Sequence, residues 1–161
     1  MRSDEMTDPV QLRGARPDDT EALLHLWTGL VTYHRTLERV RPSRWSGPVE
    51  ETLRPLLAQV WAAPDRYALF IAEVAGDRIG FVRVSLADDG PCPARIDTLF
   101  VADAFRGKRV GFRLLERACA WCRERDATEV CVEFIAPNDL AREFYEHAGF
   151  LPLLSTFMRR L

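Results

Sequence analysis

Apolar residues recur along this chain at two distinct spacings. Leu23, Leu26, Trp27, Leu30, Val31 and Leu37, with His34 in the same stripe, fall at helical spacing. Pro17-Asp18-Asp19-Thr20-Glu21 ahead of them predicts a helix start, with Asp18 as N-cap and Glu21 closing a capping box. That helix is expected to run to about Arg39, after a short strand over residues 10–13. Residues 41–48 read as a turn-rich loop. Residues 49–62 return to helical spacing, although Pro55 inside them either kinks the helix or marks its true start. Strand-like runs follow at 67–74 and 79–86, joined by the tight turn Ala75-Gly76-Asp77-Arg78, and again at 96–101. A helix is predicted from near Lys108 to near Asp126, with Gly111, Leu115, Ala118, Cys119 and Cys122 on one face. Residues 128–135 alternate as a strand, 140–148 form a short helix stopped at Gly149, and 153–158 make a last strand. This order predicts an α/β (α+β) fold: a mixed central sheet with helices packed on it.

The stretch at 94–115 carries the chemistry. It leads a strand into a turn holding Arg106, Gly107, Lys108 and Arg109, and then opens a helix. The first N–H groups of a helix lack intrahelical partners, and the macrodipole places partial positive charge there. Such a turn suits an anion such as phosphate. It also suits a plain strand–helix connection with solvated basic residues. A phosphate-binding P-loop is excluded, because Gly107-Lys108 lacks both the glycine spacing and the Ser/Thr after lysine.

Composition narrows the classes. With 161 residues, the chain is long enough for one domain with a real core, expected over 9–161, behind a loose polar stretch at 1–8. A net charge of −2 supplies no global field for nucleic acid or an anionic membrane. No apolar run reaches the roughly 18 residues of a membrane span. The first residues lack the apolar core of a secretion signal, so a cytoplasmic protein is expected. Cys119 and Cys122 form a C-x-x-C within a helix, without a second pair or a histidine cluster. Both thiols read as small buried apolar groups, and no metal is expected.

Three segments together resemble the GNAT N-acetyltransferases. Leu99-Phe100-Val101, a short turn and Arg106-Gly107-Lys108-x-Val110-Gly111 are similar to the family's acyl-coenzyme A signature. Asn138-x-x-Ala141-x-x-Phe144-Tyr145-x-x-x-Gly149-Phe150 resembles its second coenzyme A motif, and LRGARPDDTEAL resembles its first strand and helix. The resemblance implies transfer of acetyl from acetyl-CoA to a primary amine of a small molecule or protein, by direct attack in a ternary complex. It implies CoA contacts at Leu99, Phe100, Val101, Arg106, Gly107, Lys108, Arg109, Val110, Gly111, Asn138 and Tyr145. It further implies Tyr145 as acid to the departing thiolate and a backbone N–H near Val101 as oxyanion donor. Arg109 stands where the family usually has glycine, and a positive φ there would cost energy.

An alkyl ammonium with a pKa of about 10.4 must lose its proton before it attacks, so a base is sought. Asp97 ranks first, because period-two alternation places it on one face with Leu99 and Val101. Glu73 ranks second and Glu133 third. Each could equally be a member of a structural ion pair. Tyr33, His34 and Trp45, on the first two helices and their loop, are the expected acceptor-binding residues, together with Glu133. Family resemblance also implies a homodimer. A non-catalytic acyl-CoA-binding module on the same fold is the alternative.

Overall fold

Five strands form one sheet in the computed structural model of the chain, which describes residues 9–37 and 47–155. They are β1 (Gln11–Gly14), β2 (Tyr67–Val74), β3 (Asp77–Leu86), β4 (Ala94–Val101) and β5 (Val130–Val132), and they lie side by side in chain order. β1 to β4 pair antiparallel, and β5 joins β4 in parallel. Helices α1 (Thr20–Leu37) and α2 (Val49–Ala62) cover one face; α3 (Val110–Arg123) and α4 (Asp139–His147) cover the other. The mixed sheet with flanking helices expected from the sequence is therefore the observed fold.

Alternation along the strands splits the core in two. Leu69, Ile71, Phe81 and Phe100 pack with Leu23, Trp27, Leu53 and Leu57 on the α1/α2 side, where Trp27 stacks on Phe81 at 5.5 Å. Phe70, Ala72, Val82, Val84, Ile96 and Val101 pack with Leu114, Leu115 and Ala118 on the α3/α4 side. A buried Val or Leu side chain is worth roughly 1.5–3 kcal/mol relative to exposure, so each layer stabilises its own helix pair.

Several boundaries differ from the sequence reading. The first helical turn is a 3₁₀ turn, Pro17–Asp19, and Asp19 rather than Asp18 does the capping: its Oδ2 accepts the Arg16 N–H at 2.8 Å. Asp19 is the aspartate that also meets Arg13 and Arg78, so tertiary pairing selects between two adjacent acids. α2 runs through Pro55 from its start at Val49; Pro55 is exposed, so the backbone bond it cannot make lies on the solvent side. β5 is only three residues long, where eight were expected. Residues 153–155 of the expected last strand are exposed and not strand; residues 156–158, like residues 1–8, lie outside the described residues.

Cys119 and Cys122 are buried free thiols, and burial pushes the Cys122 thiol up to about 11. Cys92 and Cys131 instead form a disulfide, with Cα atoms 5.8 Å apart, that ties the segment before β4 to β5. Among the described residues no helix is long and apolar enough to cross a membrane.

Candidate active site

The site begins where β4 and β5 part. Their pairing covers Ala94 to Ile96 against Val130 to Val132 and then stops, so β4 continues for five residues without β5 beside it. The Ala102 N–H donates to the Ile79 carbonyl at 2.9 Å. In an antiparallel ladder, alternate residues bond to the same neighbour. Phe100 therefore turns its backbone groups toward β3, and Leu99 and Val101 turn theirs toward the gap. The result is a short polar edge that a ligand's amides can pair with, as an added strand would.

Directly beyond β4 comes the turn. Gly107 has φ +75° and Arg109 has φ +61°, and α3 starts at Val110. Arg113 N–H to the Arg109 carbonyl, 3.0 Å, is the first intrahelical bond, so the N–H groups of Val110, Gly111 and Phe112 point out of the helix end. A left-handed residue beside a helix start makes a backbone nest for an anion. Arg109 thus adopts the conformation that glycine would take more cheaply. Gly111 has ordinary room for a Cβ, 3.4 Å from the Phe144 ring and 3.7 Å from Leu99, so neither close packing nor unusual φ requires glycine there.

Arg106 does not extend toward that nest. Its Nε donates to the Val101 carbonyl at 3.1 Å, and its guanidinium lies 5.0 Å over the Tyr33 ring and 5.5 Å over Phe100. Tyr33 Oη donates to Asn138 Oδ1 at 3.1 Å, and the same oxygen accepts the Ala141 N–H, capping α4. Tyr33 of α1, Arg106 of the turn and Asn138 of α4 thereby meet at the end of β4. Sequence spacing alone did not link these three residues, which are separated by up to 105 positions.

Tyr145 lies on α4 in an aromatic nest of Phe134, Phe144 and Phe150, with ring centroids 5.8, 5.0 and 5.3 Å away. It is 7% exposed, and burial raises its phenol above the ordinary value, so it holds its proton at neutral pH.

The carboxylates are placed differently from one another. Asp97 does not share a face with Leu99 and Val101. Arg83 pairs with Thr98 and Val84 with Ile96, so Asp97 is an extra residue, a β-bulge, and the alternation resets there. Ile96, Leu99 and Val101 pack on the α3/α4 side, whereas Asp97 meets Arg83 and Ser85 on the other side. Arg83 NH1 donates to Asp97 Oδ2 at 2.5 Å and Ser85 Oγ to Oδ1 at 3.0 Å; burial nonetheless pushes the Asp97 carboxyl above its ordinary value.

Glu73 is the last residue but one of β2, two strands away from β4, where Arg13 holds it at 2.9 Å beside a cavity of about 250 Å³ lined by Pro9, Gln11, Ala75 and Gly76. Glu133 directly follows β5 and is exposed. His34 is half-buried, its ring 6.2 Å from that of Tyr33. Trp45 lies outside the described residues. Lys108 is exposed, with its amine 5.3 Å over the Phe105 ring.

Comparison with known proteins identifies the family and the fold. A family model for the acetyltransferase (GNAT) family matches residues 33–150. Over 149 residues the chain is 29% identical to a protein of Mycobacterium tuberculosis described as a probable N-acetyltransferase, covering 88% of this chain and 79% of that one. Its fold resembles AAC(6')-Iy in complex with the bisubstrate analog CoA-S-monomethyl-acetylneamine (TM-score 0.71, 19% identity, 95% of this chain and 98% of that chain). It also resembles the glucosamine-6-phosphate N-acetyltransferase of Arabidopsis thaliana (TM-score 0.68, 18% identity, 95% and 99%). With the profile spanning both sides of the gap between β4 and β5, the chain belongs to the GNAT acetyltransferase family.

Proposed function

We propose that this protein is an acetyl-CoA-dependent N-acetyltransferase acting on a primary amine. The observation that carries the reading is the early end of β5, which opens the Leu99–Val101 edge directly beside the Gly107–Arg109 nest. A pantetheine arm needs amide partners and a pyrophosphate needs N–H donors, and this arrangement offers both within one connection. Leu99 and Val101 would pair with the arm. The nest and the N–H groups of Val110 and Gly111 would hold the pyrophosphate, assisted by Lys108 and Arg109. When bound, acetyl-CoA supplies an activated acyl carbon.

The chain's own groups supply the rest. The gap-facing N–H groups of β4 are set to receive developing negative charge without reorganising. Tyr145 Oη, kept protonated by burial, donates to the departing sulfur. Asp97 and Glu73 are both held by arginines. Glu133 has no ion pair with the described residues and is exposed directly after β5, where the gap opens, so it is the carboxylate we assign to receive the amine proton. Tyr33 and His34 form the acceptor side. The structural relatives named above carry small amino sugars in their own descriptions, which supports a small-molecule acceptor.

The test is an amine panel assayed by thiol release from acetyl-CoA, run beside calorimetry with CoA alone. Turnover with at least one small amine is the expected result. The engagement of Asp97 and Glu73 by arginines favours a second reading, a non-catalytic acyl-CoA-binding module. CoA binding with no thiol release across the panel would establish it, and no CoA binding would remove both readings.

A further inference from the structure

We propose that Asp97, Arg83 and Ser85 are positioning residues that lock the β4 bulge and thereby aim the Leu99 and Val101 backbone groups into the gap. This inference rests on the acetyltransferase reading of the gap. Without the extra residue, the alternation that buries Ala94 and Ile96 on the α3/α4 side would bury Thr98 and Phe100 there. Leu99 and Val101 would turn to the opposite face, and their N–H groups toward β3, because a one-residue slip inverts every position beyond it. The bulge is therefore the element that determines whether this edge is available.

Something must hold it, because the inserted residue has no cross-strand partner. Two neighbours on β3, Arg83 and Ser85, grip both oxygens of Asp97. Arg83 is in turn anchored on α2 through Gln59 Oε1, 2.6 Å from its NH2, and on β2 through the Tyr67 ring, 5.0 Å away. Its side chain is 5% exposed and its Nε is buried without a hydrogen-bond partner. A buried ion pair of this kind is a poor source of stability, since apolar residues of similar volume often do as well or better. What it supplies is geometry: one fixed register at the residue before Thr98. A carboxylate with both oxygens engaged, and a second arginine, Arg95, at 3.6 Å, is also badly placed to shuttle a proton.

Asp97→Asn, Asp97→Ala and the milder Ser85→Ala test the assignment. Each is read by the backbone amide resonances of Leu99 and Val101, by hydrogen exchange of Phe100, whose N–H faces β3, and by kinetics. Asp97→Ala should shift both resonances and speed the exchange of Phe100 at least about tenfold, with Phe70 and Ile71 in β2 unchanged. Asp97→Asn should lower kcat by about tenfold at every pH, with the limbs of the pH profile unmoved and CoA affinity within about threefold. Ser85→Ala should show the same pattern at smaller amplitude. Abolished turnover with loss of the acidic limb in Asp97→Asn would make Asp97 the base and overturn the proposal. Unchanged Leu99 and Val101 resonances in Asp97→Ala would also overturn it. The resonance measurement needs no turnover, so it stands or falls separately from the enzymatic reading.

Discussion

Asp19 and Asp97 are both aspartates paired with arginine, yet the fold shifts their carboxyls in opposite directions. Asp19, with a side chain 2% exposed, accepts two bonds from Arg13 at 2.7 and 2.8 Å, one from Arg78 at 3.1 Å and the Arg16 N–H at 2.8 Å. The hydrogen bonding from Arg13 is the largest influence, and it holds the Asp19 carboxyl well below the usual carboxylate range despite burial. At Asp97 burial outweighs Arg83 and Ser85, and the carboxyl is pushed up. The difference is one of donor supply. Asp19 joins β1, the first turn and β3, with Glu73 of β2 on the same Arg13, so its charge helps to close one edge of the sheet. Asp97 sits at the one irregular residue of β4, where placement matters more than stabilisation.

Breaking the first cluster should have the largest effect. Asp19→Ala removes the anion shared by Arg13 and Arg78, but both arginines are partly exposed and Arg13 keeps Glu73. The loss should therefore be about 1.5–3 kcal/mol, the range for hydrogen bonds to charged groups. Urea denaturation should show that loss, while CoA affinity of the folded fraction stays unchanged. A normal stability would place the cluster among ornamental surface pairs.

Acid titration sharpens the contrast through its sign. The folded-state pKa of Asp19 lies below its unfolded value of about 3.9, so its contribution is present above that pH and drains away as the pH falls toward the folded value. Asp97 is raised, so its contribution is present below about 3.9 and is lost as the pH rises through the folded value. Between about pH 6 and pH 3, the stability gap between wild type and Asp19→Asn should narrow. Over the same range wild type should gain on Asp97→Asn. Parallel curves for the two variants would dissolve the distinction.

At the other end of the molecule the expected effect is kinetic. Tyr145→Phe removes a proton donor from an aromatic nest that keeps its packing, so turnover should fall about 10- to 100-fold with the unfolding midpoint nearly unmoved. An unchanged rate would leave Tyr145 as a packed aromatic only.

Much of this division could be read from residues in order, but not its decisive details. The β2–β3 hairpin, α1, α3 and the basic turn follow from local period and turn chemistry, and the two CoA-type motifs locate the gap from either side. The bulge does not, because Arg95-Ile96-Asp97-Thr98 contains no glycine or proline to announce it, and strict alternation then assigns Asp97 to the wrong face. Nor does the early end of β5: Glu133-Phe134-Ile135 has ordinary strand character, and what frees it is the departure of the chain toward α4. Asp19 could not be told from Asp18 by capping rules, since its preference comes from Arg13 and Arg78. The meeting of Tyr33, Arg106 and Asn138 is likewise a product of tertiary packing.

The smallest expected effect concerns strain that neither aspartate cluster touches. Arg109 has φ +61° and ψ +10° at an exposed position before α3, and the left-handed region costs a residue with a Cβ about 1–2 kcal/mol. Glycine would remove that cost but loses about 0.5–1 kcal/mol to its freer unfolded chain. Arg109→Gly should therefore raise stability by about 0.5–1 kcal/mol in thermal or urea unfolding. Its backbone N–H stays in the nest, so CoA affinity should weaken no more than about threefold, the share of one exposed cation beside an anion. If the variant binds much more weakly than that, the guanidinium is a direct phosphate contact, and the strained arginine is retained for its side chain. If it binds more tightly, the nest works best with the glycine that its own φ angle calls for.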